Sequence, residues 1–196
     1  LEIQNSFRIS DTFAEYDAVN KSKTDLNNNT DNLEASYSLK LVHEKNKFKN
    51  TFSFNKLHIE RNVTDDSKSK TNYFGYRDAF NFLGEYNFNL DNKIVYGIDT
   101  EFDASRYQIS SGASDKEHDE SIFSQYFDLQ LRPFEKLYST FGLRSDSHST
   151  VGRKTSGRVT AAYLLNGNSK IRSSLGAGVR FPAMYDYAYG SSTIVS

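Results

Sequence analysis

The sequence predicts an all-β chain: an antiparallel up-and-down sheet forming part of a transmembrane β-barrel. Three observations carry this. Nine segments alternate apolar and polar side chains with a period of two, which is the spacing of side chains along a strand. The connections between them alternate long and short, and charged residues avoid one of the two faces. Helical periodicity is weak throughout.

The alternating segments are 1–16, 33–44, 48–60, 73–88, 93–107, 122–132, 137–144, 155–165 and 170–180. Ile94, Tyr96, Ile98, Thr100 and Phe102 line one face of the fifth, and Ile171, Ser173, Leu175, Ala177 and Val179 one face of the ninth. Segments such as 73–88 and 93–107 exceed the roughly 5–6 residues of an ordinary soluble strand. They reach beyond the roughly 9–11 residues that cross a bilayer. Polar stretches at 17–32, 61–72, 108–121 and 145–154 alternate with tight turns at 45–47, 89–92, 133–136 and 166–169. Pro133 and the Asn166-Gly167-Asn168 run supply turn chemistry. Long loops at one end and tight turns at the other match the extracellular and periplasmic ends of an outer-membrane barrel.

Charge placement refines the reading. Across the five cleanest strands, 25 positions on the apolar faces include no Asp, Glu, Lys or Arg. The 25 alternate positions carry ten: Lys93, Asp99, Glu101, Asp128, Arg132, Arg144, Arg158, Lys170, Arg172 and Arg180. A Lys or Arg facing lipid costs roughly 2–4 kcal/mol at the bilayer midplane, whereas a watery lumen tolerates it. A soluble β-sandwich also has one wet face, so periodicity leaves that alternative open and strand length argues against it. Aromatics such as Phe74, Tyr76, Phe123 and Tyr163 lie toward strand ends, as interfacial girdles do. Two irregularities stand out. In the third segment apolar parity switches from Phe48, Phe52 and Phe54 to Leu57 and Ile59, which implies a β-bulge or an exit from the lipid zone. In the fourth, Asp78 interrupts the apolar face, either at the water boundary or through a different register.

Composition bounds the function. The chain has 196 residues, with 24 Lys+Arg against 25 Asp+Glu, so it lacks the basic surplus of a nucleic-acid binder. The absence of cysteine excludes a disulfide framework and a thiol nucleophile. Only 37% of residues are hydrophobic, yet 14% are aromatic, too many for a disordered chain. The longest apolar run, 161–165, is far short of the about 20 residues of a membrane helix. With no initial Met or signal pattern, and Leu1 reading as mid-strand, residues 1–196 are expected to be one partial barrel domain of a longer protein.

The alternation of loop lengths sends the ninth strand toward the extracellular side. Arg180, Tyr185, Tyr187 and Tyr189 are therefore candidate ligand contacts, since aromatics and Arg suit planar or anionic cargo. The alternative is that Arg180 braces the wall and the tyrosines are interfacial. Asp115, Glu117, Asp119 and Glu120 form an acidic run without calcium-loop spacing, more simply read as solvated. His43, His58, His118 and His148 show no metal-ligand spacing, so no metal and no cofactor is expected. Arg144, Arg158 and Arg172 can ladder with Asp128 and Asp146 along the wet face. Asp146 and His148 share that face, but no nucleophile accompanies them, and the chain is read as a non-enzyme.

The stretch Phe141-Gly142-Leu143-Arg144-Ser145-Asp146, the strand 159–165, the run Ser174-Leu175-Gly176-Ala177-Gly178-Val179-Arg180-Phe181-Pro182, then Tyr185 and Tyr189-Gly190, resemble a TonB-dependent outer-membrane receptor. The layout is most similar to the branch holding vitamin B12 and siderophore receptors. Val179 stands where that pattern has an aromatic, and Phe181 where it has Ala. The resemblance implies a barrel of about 22 strands around a plug domain, with a TonB box coupling import to the inner-membrane proton-motive force. It implies residence in the bacterial outer membrane and partnership with lipid, the plug and the TonB complex. The cargo would be a scarce, bulky small molecule such as a ferric siderophore or cobalamin. Plug and C-terminal strands are not in this chain, and an odd number of strands leaves two unpaired edges, so 1–196 alone is expected not to close. The competing readings are a passive porin or structural barrel, and a barrel enzyme resting on Asp146 and His148.

Overall fold

Period-two alternation dictates extended backbone, and in a computed structural model each alternating segment hydrogen-bonds to its chain neighbours. The structure describes residues 1–16, 28–65, 69–109, 116–166 and 169–182. The strands are β1 (Glu2–Tyr16), β2 (Asn28–Lys45), β3 (Phe48–Thr64), β4 (Lys70–Asn87), β5 (Lys93–Ile109), β6 (Lys116–Phe134), β7 (Leu137–His148), β8 (Gly152–Asn166) and β9 (Ser169–Ala177). They form one sheet in the order β1 to β9, every pair antiparallel. β1 and β9 are its open edges, so the barrel is not closed within this chain.

Register decides what shares a face. One cross-strand row runs Phe48, Tyr86, Ile94, Leu129, Phe141, Val159, Leu175. One residue along each strand, the opposite face reads Lys49, Glu85, Val95, Asp128, Gly142, Arg158, Gly176. The faces assigned from sequence to the last five strands are thus contiguous surfaces, one apolar and one charged.

Neither is a protein core. Among the described residues no hydrophobic side chain is buried; the buried side chains are polar or charged, among them Asp103, Glu120, Ser124, Asp146 and His148. Ile98, Phe141 and Leu175 are 45%, 45% and 80% exposed. The accessible surface is 13936 Å², against about 9,400 Å² for a compact domain of 22.4 kDa. A soluble sandwich would hide its apolar face; this one presents it outward. We call the apolar face outward and the charged face inward.

The strands run further than hydropathy suggests. β2 begins at Asn28 rather than near 33, β6 at Lys116 rather than near 122, and β7 continues to His148 rather than stopping near 144. The supposed long connection over 145–154 is mostly strand, with a turn only at 149–151. Apolar alternation ends where the hydrocarbon ends, but main-chain pairing continues into water with polar side chains. Most of the loop-length asymmetry is strand protruding beyond the apolar band at one end. At the opposite end the turns are stitched together. Asn46 takes a positive φ of 56° in the β2–β3 turn. The Asn89 side-chain oxygen accepts from the amides of Asp91 and Asn92 at 3.0 and 2.9 Å. Arg132 bonds Asp91 and the Glu135 carbonyl, tying adjacent turns.

Both sequence irregularities resolve. β3 pairs with β2 and β4 without a register shift, so no bulge is present there. Leu57 and Ile59 simply point inward, and Lys56 and His58 take the outward positions. Asp78 is outward as its parity demands, directly opposite Lys56, with Nζ and Oδ1 3.4 Å apart. The pair is bracketed by ring pairs, Phe54–Phe80 at 4.7 Å and His58–Tyr76 at 4.7 Å. Tyrosines fill the spaces left by two glycines: Tyr96 covers Gly84 on the outward face and Tyr126 covers Gly97 on the inward face.

Two outcomes follow. In the full-length protein, Lys56→Leu or Asp78→Leu alone leaves one charge against lipid and should lower barrel stability by about 1–3 kcal/mol. The double substitution should recover most of that loss in urea unfolding. Gly97→Val would press on both the Tyr126 ring and the Phe82 carbonyl oxygen, so it should cut the yield of heat-modifiable folded barrel on cold gels, and adding Tyr126→Ala should not restore it because the main-chain carbonyl remains.

Candidate functional site

The inward face of β4–β8 holds a network of arginines and carboxylates, each placed by strand parity. Arg77 grips Asp103 through two bonds, Nε–Oδ1 and Nη2–Oδ2, both 2.6 Å, and stands 3.3 Å from Glu101. Arg144 bridges Asp146 at 2.7 Å and Asp99 at 3.2 Å. Asp99 also accepts from Asn81 at 3.1 Å, and Asp146 from the Ser124 hydroxyl at 2.6 Å. The Arg144 guanidinium lies 5.3 Å over the Tyr126 ring. Arg158 pairs with Asp128 at 3.1 Å. These contacts tie β4, β5, β6, β7 and β8 together side chain to side chain, beside the main-chain ladder. Charge-assisted bonds of this kind are about twice as strong as neutral ones, and they hold a wall rigid without apolar packing.

The ladder expected from sequence is therefore present for Arg144 with Asp146 and for Arg158 with Asp128. Arg172, near the open edge in β9, makes no ion pair among the described residues. The acidic run does not converge: Glu117 and Asp119 point outward and Glu120 inward, because neighbouring strand positions alternate. Asp115 lies outside the described residues.

The histidines are where sequence reading missed most. Pairing of Ile122 with His148 brings β7 alongside β6 so that His148 and His118 both approach Glu120. His148 Nε2 is 3.4 Å and His118 Nε2 3.6 Å from Glu120 Oε2. The signal was present: 118, 120 and 148 all have inward parity once the register is known. The His148 side chain is fully buried, and its Nδ1 accepts from the amides of Thr150 and Val151 at 3.1 and 3.3 Å. With that lone pair occupied, Nε2 is the nitrogen left to carry the proton, and it stands near Glu120 Oε2 without forming a hydrogen bond to it. Ser124 is hydrogen-bonded to Asp146, not to His148, so Asp146 and His148 serve as bracing groups.

Arg180, expected at the start of the loop that follows the ninth strand, lies just past the sheet. The ninth strand is shorter than the expected 170–180: β9 ends at Ala177 and 178–182 lie outside the sheet. Past Gly178 the chain folds across the inner face, and Phe181 stacks on His148 of β7, two strands away, with ring centroids 4.9 Å apart. Arg180 is exposed on this inward-folded segment. Tyr185, Tyr187 and Tyr189 lie outside the described residues.

Comparisons with known proteins agree with this architecture. No curated protein sequence matches the chain. The siderophore receptor PirA from Pseudomonas aeruginosa is similar over 81% of this chain and 28% of its own, with a TM-score of 0.65 and 15% identity. PirA from Acinetobacter baumannii is similar over 76% of this chain and 25% of its own, with a TM-score of 0.58 and 16% identity. The RagAB peptide importer aligns over 69% of this chain and 20% of its own, with a TM-score of 0.50 and 12% identity. The chain thus spans little more than a quarter of the length of the PirA receptors it resembles. Residues 3–196 match the family described as TonB dependent receptor-like, beta-barrel, and the chain belongs to that family.

Proposed function

We propose that this chain is part of the barrel wall of a bacterial outer-membrane receptor that imports a scarce, bulky small molecule, such as a ferric siderophore or cobalamin. In this reading import is driven through the TonB complex, and a plug domain outside this chain fills the lumen. The observation that carries the reading is the pairing of an uncovered apolar outer face with an inner face laced by Arg–carboxylate pairs. Such a wall faces lipid on one side and a wide, hydrated lumen on the other. Nine strands that do not close imply a barrel larger than the chain itself, and large outer-membrane transporter barrels are plugged. That the PirA structures are siderophore receptors supports putting an iron chelate ahead of cobalamin.

The test is growth of a receptor-null strain, complemented with the full-length gene, on defined iron or cobalamin sources. Growth on one source that disappears when TonB is deleted is the expected result. Uptake that persists without TonB would instead make the protein a passive porin.

A further inference from the structure

One imidazole joins two parts of the chain that are distant in sequence. Phe181 stacks on the face of His148, with centroids 4.9 Å apart and planes 30° from parallel. To reach it, 178–182 leave the sheet after β9 and cross the inner face as a strap. The edge of the same ring closes the turn between β7 and β8, where Nδ1 accepts from the amides of Thr150 and Val151 at 3.1 and 3.3 Å. The side chain that caps this turn and anchors the strap is fully buried.

The groups around His148 give a second proton nowhere to settle. Nδ1 can take it only by giving up both amides, because a protonated nitrogen cannot accept. Nε2 stands 3.4 Å from Glu120 Oε2 without a hydrogen bond. Glu120 also faces His118, whose Nε2 is 3.6 Å away, and lies opposite Asp103 of β5, which Arg77 holds. Asp146, two residues back on the same face, is taken up by Ser124 and Arg144. The other neighbours are neutral or cationic. Ile122 and Gly152 lie opposite His148, Lys154 is two residues further along β8, and Arg180 precedes Phe181 on the strap. An imidazolium here is a buried charge with a shared counter-ion, and it displaces two main-chain donors.

We propose that His148 is a proton-operated catch. Neutral, it holds 178–182 across the inner face through Phe181; on taking up a proton at Nδ1 it swings out of the turn and lets the strap go. The caught state binds one proton fewer than the released state. It is therefore favoured as pH rises and lost as pH falls, within the range of about 8 to 5 where histidine charges. Release clears the strap, and Arg180 with it, from the inner face and widens the passage beside β7 and β8. The catch needs no ligand and stands apart from the uptake reading above.

The experiment uses the purified full-length receptor in lipid nanodiscs. With 4-fluorophenylalanine in place of Phe181, fluorine NMR should show a stacked signal dominant at pH 8. The ratio of stacked to free signal should fall at least about tenfold by pH 5. His118→Gln should keep that pH dependence. Hydrogen exchange of the 149–151 turn, corrected for intrinsic rates, needs no substitution, and its protection should also fall at least about tenfold between pH 8 and 5. His148→Asn puts Oδ1 in place of Nδ1, an acceptor that takes up no proton, and protection of the turn should then vary less than about twofold. A signal ratio or a turn protection that stays flat in the unsubstituted His148 background overturns the catch. So does pH dependence that survives in His148→Asn or disappears in His118→Gln.

Discussion

Hydrocarbon offers no hydrogen bonds to a peptide group and a poor environment to a charge, and both facts shape every strand of this chain. Each N–H and C=O within the membrane must find a partner in a neighbouring strand. Each charged side chain must either point away from lipid or bring its counter-ion. The antiparallel ladder from β1 to β9, shifted in register at Leu131/Phe134 and Leu164/Asn166 beside the tight turns, meets the first demand between every pair of neighbouring strands. The parity of arginines and carboxylates satisfies the second. Lys56 and Asp78 are informative because they obey it differently: unable to point inward without reversing the register of their strands, they face each other instead.

A wall of this kind is not held by a core. Outward residues such as Phe52 and Phe82, ring centroids 4.8 Å apart, pack against cross-strand neighbours in one layer, leaving the rest of each ring for lipid. On the inward side, charge-assisted bonds take over the work that apolar packing does in a soluble protein. This explains why the most buried side chains are polar. Ser124, Asp146 and His148 are enclosed by partners, while Phe141 and Leu175 are exposed. It also explains how a chain with few hydrophobic residues can hold a defined fold.

The inner network changes character along the strands. Arginines in its middle rows face carboxylates, so they hold strands together and leave little net charge on the wall. Toward the strand ends away from the tight turns, the Tyr73 and Tyr107 rings pair at 5.0 Å, and the segment past Gly178 brings Phe181 onto His148.

Alternation of side chains determined much of this protein by itself. Strand number, the antiparallel meander and the outward face of each of the last five strands were legible, because a period of two needs only local order and lipid punishes any charge that breaks it. The Arg144–Asp146 and Arg158–Asp128 pairs were legible for the same reason. Strand ends were not, since residues such as Asn28 and Lys116 extend ladders into water, where polarity no longer marks a face. Nor were the convergence of His118 and His148 on Glu120 or the pairing of Lys56 with Asp78. Each joins residues distant in sequence and depends on cross-strand register, which hydrogen bonding between strands sets and no single strand encodes. The return of Phe181 to His148 likewise depends on a chain leaving the sheet, which only the tertiary arrangement decides.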